Sequence, residues 1–438
     1  MKLINLFIAI SITLFLSIGF FINNTQMIIA ANISFLIFVS TANNTYKLPL
    51  LFFFLPWNGL LKINLESNTF FTLQIVILVV ILLWKKTHIP KHIINLIILI
   101  FIYSFLIKLF HYDTFTPRYF LVFIFLLFIS LTLNHQNKFI PKPEYILLFF
   151  SLGTLLANVS GDLLVKLPHM YELNKAAEAQ IENEIAIYRN SAFAGDPNRN
   201  GANIALALIA ILIIKINPLV KGVMSIILFY FGMLTVSKMF YLIAGIIVIF
   251  FSISILLTKK TAIEKIFYII IVGIFMSILS TTNLFQNQID NFLTRFEKTQ
   301  GYVEDTRRTS LQLDYLNYMA EKSQILVFGR GFLTDFHPTT NVAHNTFLQL
   351  LFGLGIIGGL VYLITLYRII KTKKIPIHGT GNKIKASLPI LSIFLSLNAL
   401  DYLSIDAFYF FLILIVVIRI YLSTPQRPYK MPNELRTV

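Results

Sequence analysis

The sequence contains no cysteine in 438 residues. Disulfides, thiolate nucleophiles and cysteine-ligated zinc are therefore excluded. Charge is scarce as well. Only 13% of residues are charged and 57% are hydrophobic, with a mean hydropathy of +0.76. A soluble globular chain carries about 25% charged residues. There is too little polar surface to cover a water-soluble protein of this length, so lipid must cover part of it. Acids are scarcer than bases, 20 against 36, for a formal net charge of +16. No Asp-x-Asp occurs, and the expected chemistry is metal-independent with no cofactor. No small-x-small cleavage site follows the N-terminal apolar run, so that run is expected to stay as a first helix.

What is present is a series of apolar runs. A hydrocarbon core of about 30 Å needs roughly 20 helical residues. Runs fall near 3–22, 27–42, 69–84, 93–110, 119–134, 145–161, 201–216, 222–236, 239–257, 266–282, 344–367, 386–400 and 405–422. A further run at 48–61 is broken by Pro49 and Pro56. The expected fold is an all-α polytopic integral membrane protein of about 12–14 transmembrane helices, counted by run length.

Lysine and arginine favour the cytoplasmic side of a membrane. With both termini inside and the spans alternating, 22 of the 36 basic residues and only Glu144, Glu264 and Glu434 of the 20 acids fall inside. The net charge is then mostly a signal of orientation facing anionic lipid, and no nucleic-acid partner is needed. Arginine runs against this bias: Arg118, Arg189, Arg199, Arg295, Arg307, Arg308 and Arg330, seven of eleven, fall outside. Arginine presents a planar fork that matches phosphate, whereas lysine acts as a point charge.

Two connections are long, and both are expected outside. The chain thus divides into N-terminal helices (1–161), a first large loop (162–200), central helices (201–282), a second large loop (283–343), and C-terminal helices with a tail (344–438). Long loops in compact bundles are usually functional or disordered. Helix-like stretches at Glu172 to Tyr188 and at Thr306 to Glu321 favour function. In the first loop, Asp196-Pro197-Asn198 before an apolar run predicts a turn into a helix, with Asn198 or Asn200 as cap. Such an N-terminus favours anions, and Arg189 and Arg199 flank it. The second loop ends in His344-Asn345, followed by Gly355 and Gly359, a small-residue pair expected to pack helices closely.

His344-Asn345, nine residues, Gly355, two residues and Gly358 resemble the His-[Asn/Ser/Gln]-x9-Gly-x-x-Gly pattern of the O-antigen polymerase and O-antigen ligase superfamily. Arg189 to Asn198 resembles that family's Arg…Gly…Pro-Asn stretch, although Ala192 stands where the family often has glycine. Arg307-Arg308, an amphipathic helix and Phe328-Gly329-Arg330-Gly331 are similar to its arrangement before the histidine. The resemblance implies a GT-C-like bundle in the bacterial cytoplasmic (inner) membrane. It implies an outer-face glycosyltransferase acting on undecaprenyl-diphosphate-linked glycans, with a chain-length regulator and a flippase as partners. His344 would be the general base. Arg189 and Arg308 would neutralise the diphosphate leaving group. Arg307, Arg199, Asn198, Asn345 and Arg330 would bind substrate. The family arginine of the second loop maps to Arg307 or Arg308. Alternatives are a ligase that transfers glycan to a lipid A core or to protein, and a flippase for lipid-linked sugar.

Overall fold

The computed structural model describes residues 2–63, 69–164, 166–170, 178–179, 187–257, 283–298, 306–338, 343–371, 376–399 and 406–424. The expected run at 266–282 lies outside them. Among the described residues the chain is a helical membrane protein, with six helices long and apolar enough to span a bilayer and four shorter apolar ones. The helices are α1 (Lys2–Phe21), α2 (Thr25–Thr41), α3 (Asn44–Phe54), α4 (Phe70–Trp84), α5 (Lys91–Phe110), α6 (Pro117–Asn134), α7 (Pro143–Leu164), α8 (Pro197–Ile213), α9 (Pro218–Leu234), α10 (Lys238–Leu256), α11 (Asn283–Lys298), α12 (Thr306–Glu321), α13 (Ser323–Phe328), α14 (Thr346–Ile370), α15 (Thr380–Ala399) and α16 (Asp406–Ser423).

Local chemistry sets many of the helix starts. α6, α7, α8 and α9 each begin with proline, whose missing N–H costs nothing in a first turn. Asn24, Thr69 and Asn217 cap α2, α4 and α9 by accepting backbone N–H bonds.

α3, α8 and α16 are buried on nearly every side. α3 continues as a 3-10 turn, Leu55–Trp57, and is too short to face lipid alone. Surrounded by protein, it has no such requirement, and Pro49 and Pro56 are tolerated there. α1 and α5 are peripheral. α5 buries Ile93, Ile97, Ile100, Ser104 and Lys108 along one helical stripe and presents Ile98, Leu99, Ile102, Leu106 and Leu109 outward.

Contacts sort the connections into two ends, as strict alternation requires. At one end His88 O accepts from Asn134 Nδ2 (2.9 Å), and Lys215 N–H donates to the Tyr421 hydroxyl (2.9 Å). At the other, His169 Nε2 meets Phe20 O (2.7 Å) and Thr114 donates to Asp335 (2.7 Å). The first is the lysine-rich end and the second the loop-bearing end.

In the first loop the structure departs from expectation. Glu178–Ala179 and Ile187–Tyr188 form an antiparallel pair rather than part of a helix. Extended backbone there leads the chain into Asn190, whose N–H is held by Leu234 O (2.8 Å). In the second loop, α12 spans Thr306–Glu321 as the pattern predicts, with Tyr315 buried.

Candidate functional site

Asn345 caps α14 through Oδ1, which accepts from Phe347 N–H (3.0 Å) and Leu348 N–H (3.1 Å). Half-buried His344 precedes it in a left-handed backbone, φ 49°. Ten residues beyond the cap, α14 is interrupted. Gly355 has φ 64° and ψ −175°, which no helix contains. The interruption frees carbonyls inside a membrane helix, where each needs a partner. Segment 328–331 supplies two of them. Arg330 N–H donates to Phe352 O (2.8 Å) and Gly331 N–H to Gly353 O (3.0 Å). Tyr103, from α5, donates to Phe328 O (2.7 Å) and lies 3.2 Å from Leu354 O. A Cβ at Gly329 or Gly355 would strike opposing backbone, and one at Gly358 would strike the Tyr103 ring. A Cβ at Gly359 meets only Leu350, at 4.0 Å. Close packing is therefore required at Gly355 and Gly358 and not at Gly359, and Gly355 serves backbone geometry as well.

This joint fixes Arg330. Its guanidinium lies over the Phe336 ring (4.9 Å to the centroid), and Nη1 donates to His111 O (3.4 Å). Beside it is a buried ion pair, Lys108 Nζ to Asp113 Oδ2 at 2.7 Å. Lys108 has no exposed side chain, so it does not snorkel as a lysine near a helix end would. Burial first, and then Arg330, push the His111 imidazole below its ordinary range. A backbone bond at Gly329 and the Asp113 charge oppose them.

The first-loop residues form a second group. Asp196, and not Asn198 or Asn200, caps α8: Oδ1 accepts from Asn198 N–H (2.7 Å) and Arg199 N–H (3.2 Å). That carboxylate already occupies the anion position at the helix N-terminus. Asn198 and Asn200 fall inside the buried first turn. Arg189, also buried, donates Nε–H to Thr235 O (3.1 Å) and Nη2–H to Asn198 Oδ1 (3.2 Å), which also accepts from Ser237 (2.9 Å). Asn200 donates to Asn158 Oδ1 (2.8 Å) and to Asn190 O (3.2 Å). Arg189 thus braces the start of α8. Ala192, in the place where the resembled family has glycine, takes φ 43°, the left-handed region that glycine adopts without strain.

Arg199 contributes to a recess as well. It lines a cavity of about 270 Å³ at the loop-bearing end with Asn58, Lys62, Thr69, Asn203 and Asp406, against apolar Leu55, Pro56 and Phe193. Asp406, buried at the start of α16, accepts from Asn58 Nδ2 (2.6 Å). Lys62 is held below its ordinary range by burial and by the Arg118 charge, with Asp406 acting the other way.

The structure therefore brings Arg189 to Asn198 directly, and Arg330 to the start-and-break of α14 that follows His344. Arg307 and Arg308 stand in the first turn of α12, and their side chains lie outside the described residues. The one histidine pair at four-residue spacing, His88 and His92, flanks Pro90 at the lysine-rich end, remote from these groups. Among the described residues no three histidine or acidic groups gather as metal ligands do.

Sequence reasoning missed Asp406, Asn58, Lys62 and the Asn158–Asn190–Asn200 cluster. The available signal was polarity out of place: Asn158 interrupts an apolar run, and Asp406 opens one. No protein-family model matches the chain, and no curated protein matches it in sequence.

Proposed function

We propose that the chain is an outer-face glycosyltransferase that joins undecaprenyl-diphosphate-linked oligosaccharide repeats into a surface polysaccharide. The supporting observation is the charged cavity at the loop-bearing end, lined by Arg199, Lys62 and Asp406. A lipid-linked glycan needs such a polar recess beside greasy walls. In this reading the lysine-rich end and both termini face the cytoplasm of a bacterial inner membrane.

The chemistry is a displacement at the anomeric carbon. His344 takes the proton of the acceptor hydroxyl as that oxygen bonds to the anomeric carbon. The bond from that carbon to the diphosphate oxygen breaks, and undecaprenyl diphosphate leaves with the electron pair. A neutral imidazole is the commonest general base for such a proton. Arg308 carries the leaving charge, helped by Arg189 through the α8 start that it braces.

The test uses purified chain in detergent with lipid-linked repeats. A ladder of lengthening glycan is expected. Transfer only onto an added lipid A core acceptor would make the enzyme a ligase. A second reading, a flippase, is favoured by the interrupted α14 and the buried Lys108–Asp113 pair, since transporters use broken helices and buried charge. Movement of lipid-linked glycan across proteoliposome membranes, with no covalent product, would establish it.

A further inference from the structure

We infer that the Arg199–Asp406 cavity is a subsite for one neutral sugar ring, a hexose or N-acetylhexosamine, and not the seat of the diphosphate. The inference deepens the proposed glycan-handling role by assigning its polar recess to a sugar.

Three observations carry it. The first is size: at about 270 Å³ the cavity has room for a pyranose ring. The second is charge. The Arg199 guanidinium and Asp406 carboxylate act on one another electrostatically and face the same space, which Lys62 also lines. A diphosphate would meet the carboxylate as well as the guanidinium, and a buried like-charge contact is costly. A neutral ligand meets neither penalty.

The third is unmet hydrogen bonding. Asn203 is 7% exposed and lines the cavity, and among the described residues its Oδ1 has no partner. Neither does Asn58 Oδ1, nor Arg199 Nε. Buried polar atoms are seldom left so. Two are acceptors that want donors, and one is a donor that wants an acceptor. An anion supplies acceptors only. A sugar hydroxyl is both donor and acceptor, so a ring in the cavity offers both kinds of partner. Leu55, Pro56 and Phe193 offer an apolar wall for the ring's C–H face.

A built-in probe exists. Trp57 lies between two cavity-lining residues, Pro56 and Asn58, and its ring centroid is 5.4 Å from that of Phe193. The other tryptophan, Trp84, is 86% exposed at the lysine-rich end. A full-length Trp84→Phe variant in detergent therefore reports on the cavity by Trp57 emission. The probes are the methyl glycosides of glucose, galactose, mannose and N-acetylglucosamine, and, separately, inorganic diphosphate. At least one glycoside should give a saturable change. Asp406→Asn and Arg199→Gln should each raise its half-saturation by about tenfold or more, the loss of a charged hydrogen bond. Both variants should keep the parent's gel-filtration profile and starting emission, which separates lost binding from lost fold. No response to any glycoside, or a saturable response to diphosphate alone, would overturn the subsite. Binding is read without turnover: polymer synthesis without a glycoside signal rejects the subsite only, and a glycoside signal without synthesis rejects the transferase only.

Discussion

At the residue scale, the arginines divide by what surrounds them. Arg189 is buried and bonded to Thr235 and Asn198. Lysine keeps the charge but loses the fork. Arg189→Lys should therefore lower stability by about 1.5–3 kcal/mol, seen as a lower melting temperature in detergent. If Arg189 also serves the leaving group, activity per folded molecule falls too. Activity that merely follows folded protein would leave it a brace alone. His344→Ala should cut synthesis by about 10²–10⁴-fold at normal membrane level; turnover at the parent rate would end the general-base role. Ala192 holds a left-handed backbone at φ 43°. Ala192→Gly should relieve strain and stabilise by up to about 1 kcal/mol, and a lower melting temperature would contradict that reading.

At the element scale, the unit is the joint between α14 and segment 328–331. Gly355→Ala puts a side chain both at positive φ and against the Val327 carbonyl, so it should be the most damaging of three alanine variants. Gly358→Ala, against the Tyr103 ring, should be intermediate, and Gly359→Ala close to neutral. Melting temperatures would rank them; equal effects at Gly358 and Gly359 would contradict the joint. His111 belongs to the same element. Burial and Arg330 hold its imidazole below the usual range, so the folded chain binds that proton more weakly than the unfolded chain. Its contribution to stability is complete above about pH 6.5 and is lost as pH falls through the lower folded value. His111→Gln should shrink the drop in melting temperature between about pH 7.5 and about pH 5.5; an undiminished drop would show that His111 is not the group responsible.

At the scale of the whole molecule, the two ends follow from alternation, and the proposed reading puts the lysine-rich one in the cytoplasm. Absence of cysteine makes this testable with single replacements. Tyr112, 97% exposed at the loop-bearing end, should as Tyr112→Cys react with an impermeant thiol reagent in cells with a permeabilised outer membrane. Exposed Thr380, at the lysine-rich end, should as Thr380→Cys be protected until lysis. The reverse pattern would turn the protein over and place the cavity in the cytoplasm.

Most helix positions were legible in the sequence, because a bilayer demands long apolar runs and excludes charge from them. α12 was legible too, since its apolar residues recur at helical spacing. The break at Gly355 was not, because a glycine in an apolar run reads equally as packing and as interruption. Only the opposing carbonyls and N–H groups of residues 328–331 decide between them. Nor was the cap of α8: Asp196, Asn198 and Asn200 are all able to cap, and the one that stays outside the buried turn takes the role. The sequence by itself determined that this chain is a helical membrane protein and where most of its described apolar helices fall. Tertiary structure alone decided which arginine is a brace and which faces a cavity. It also joined Asn58 to Asp406, which are 348 positions apart, because a contact between distant buried residues is set by how helices pack and leaves no periodic trace along the chain.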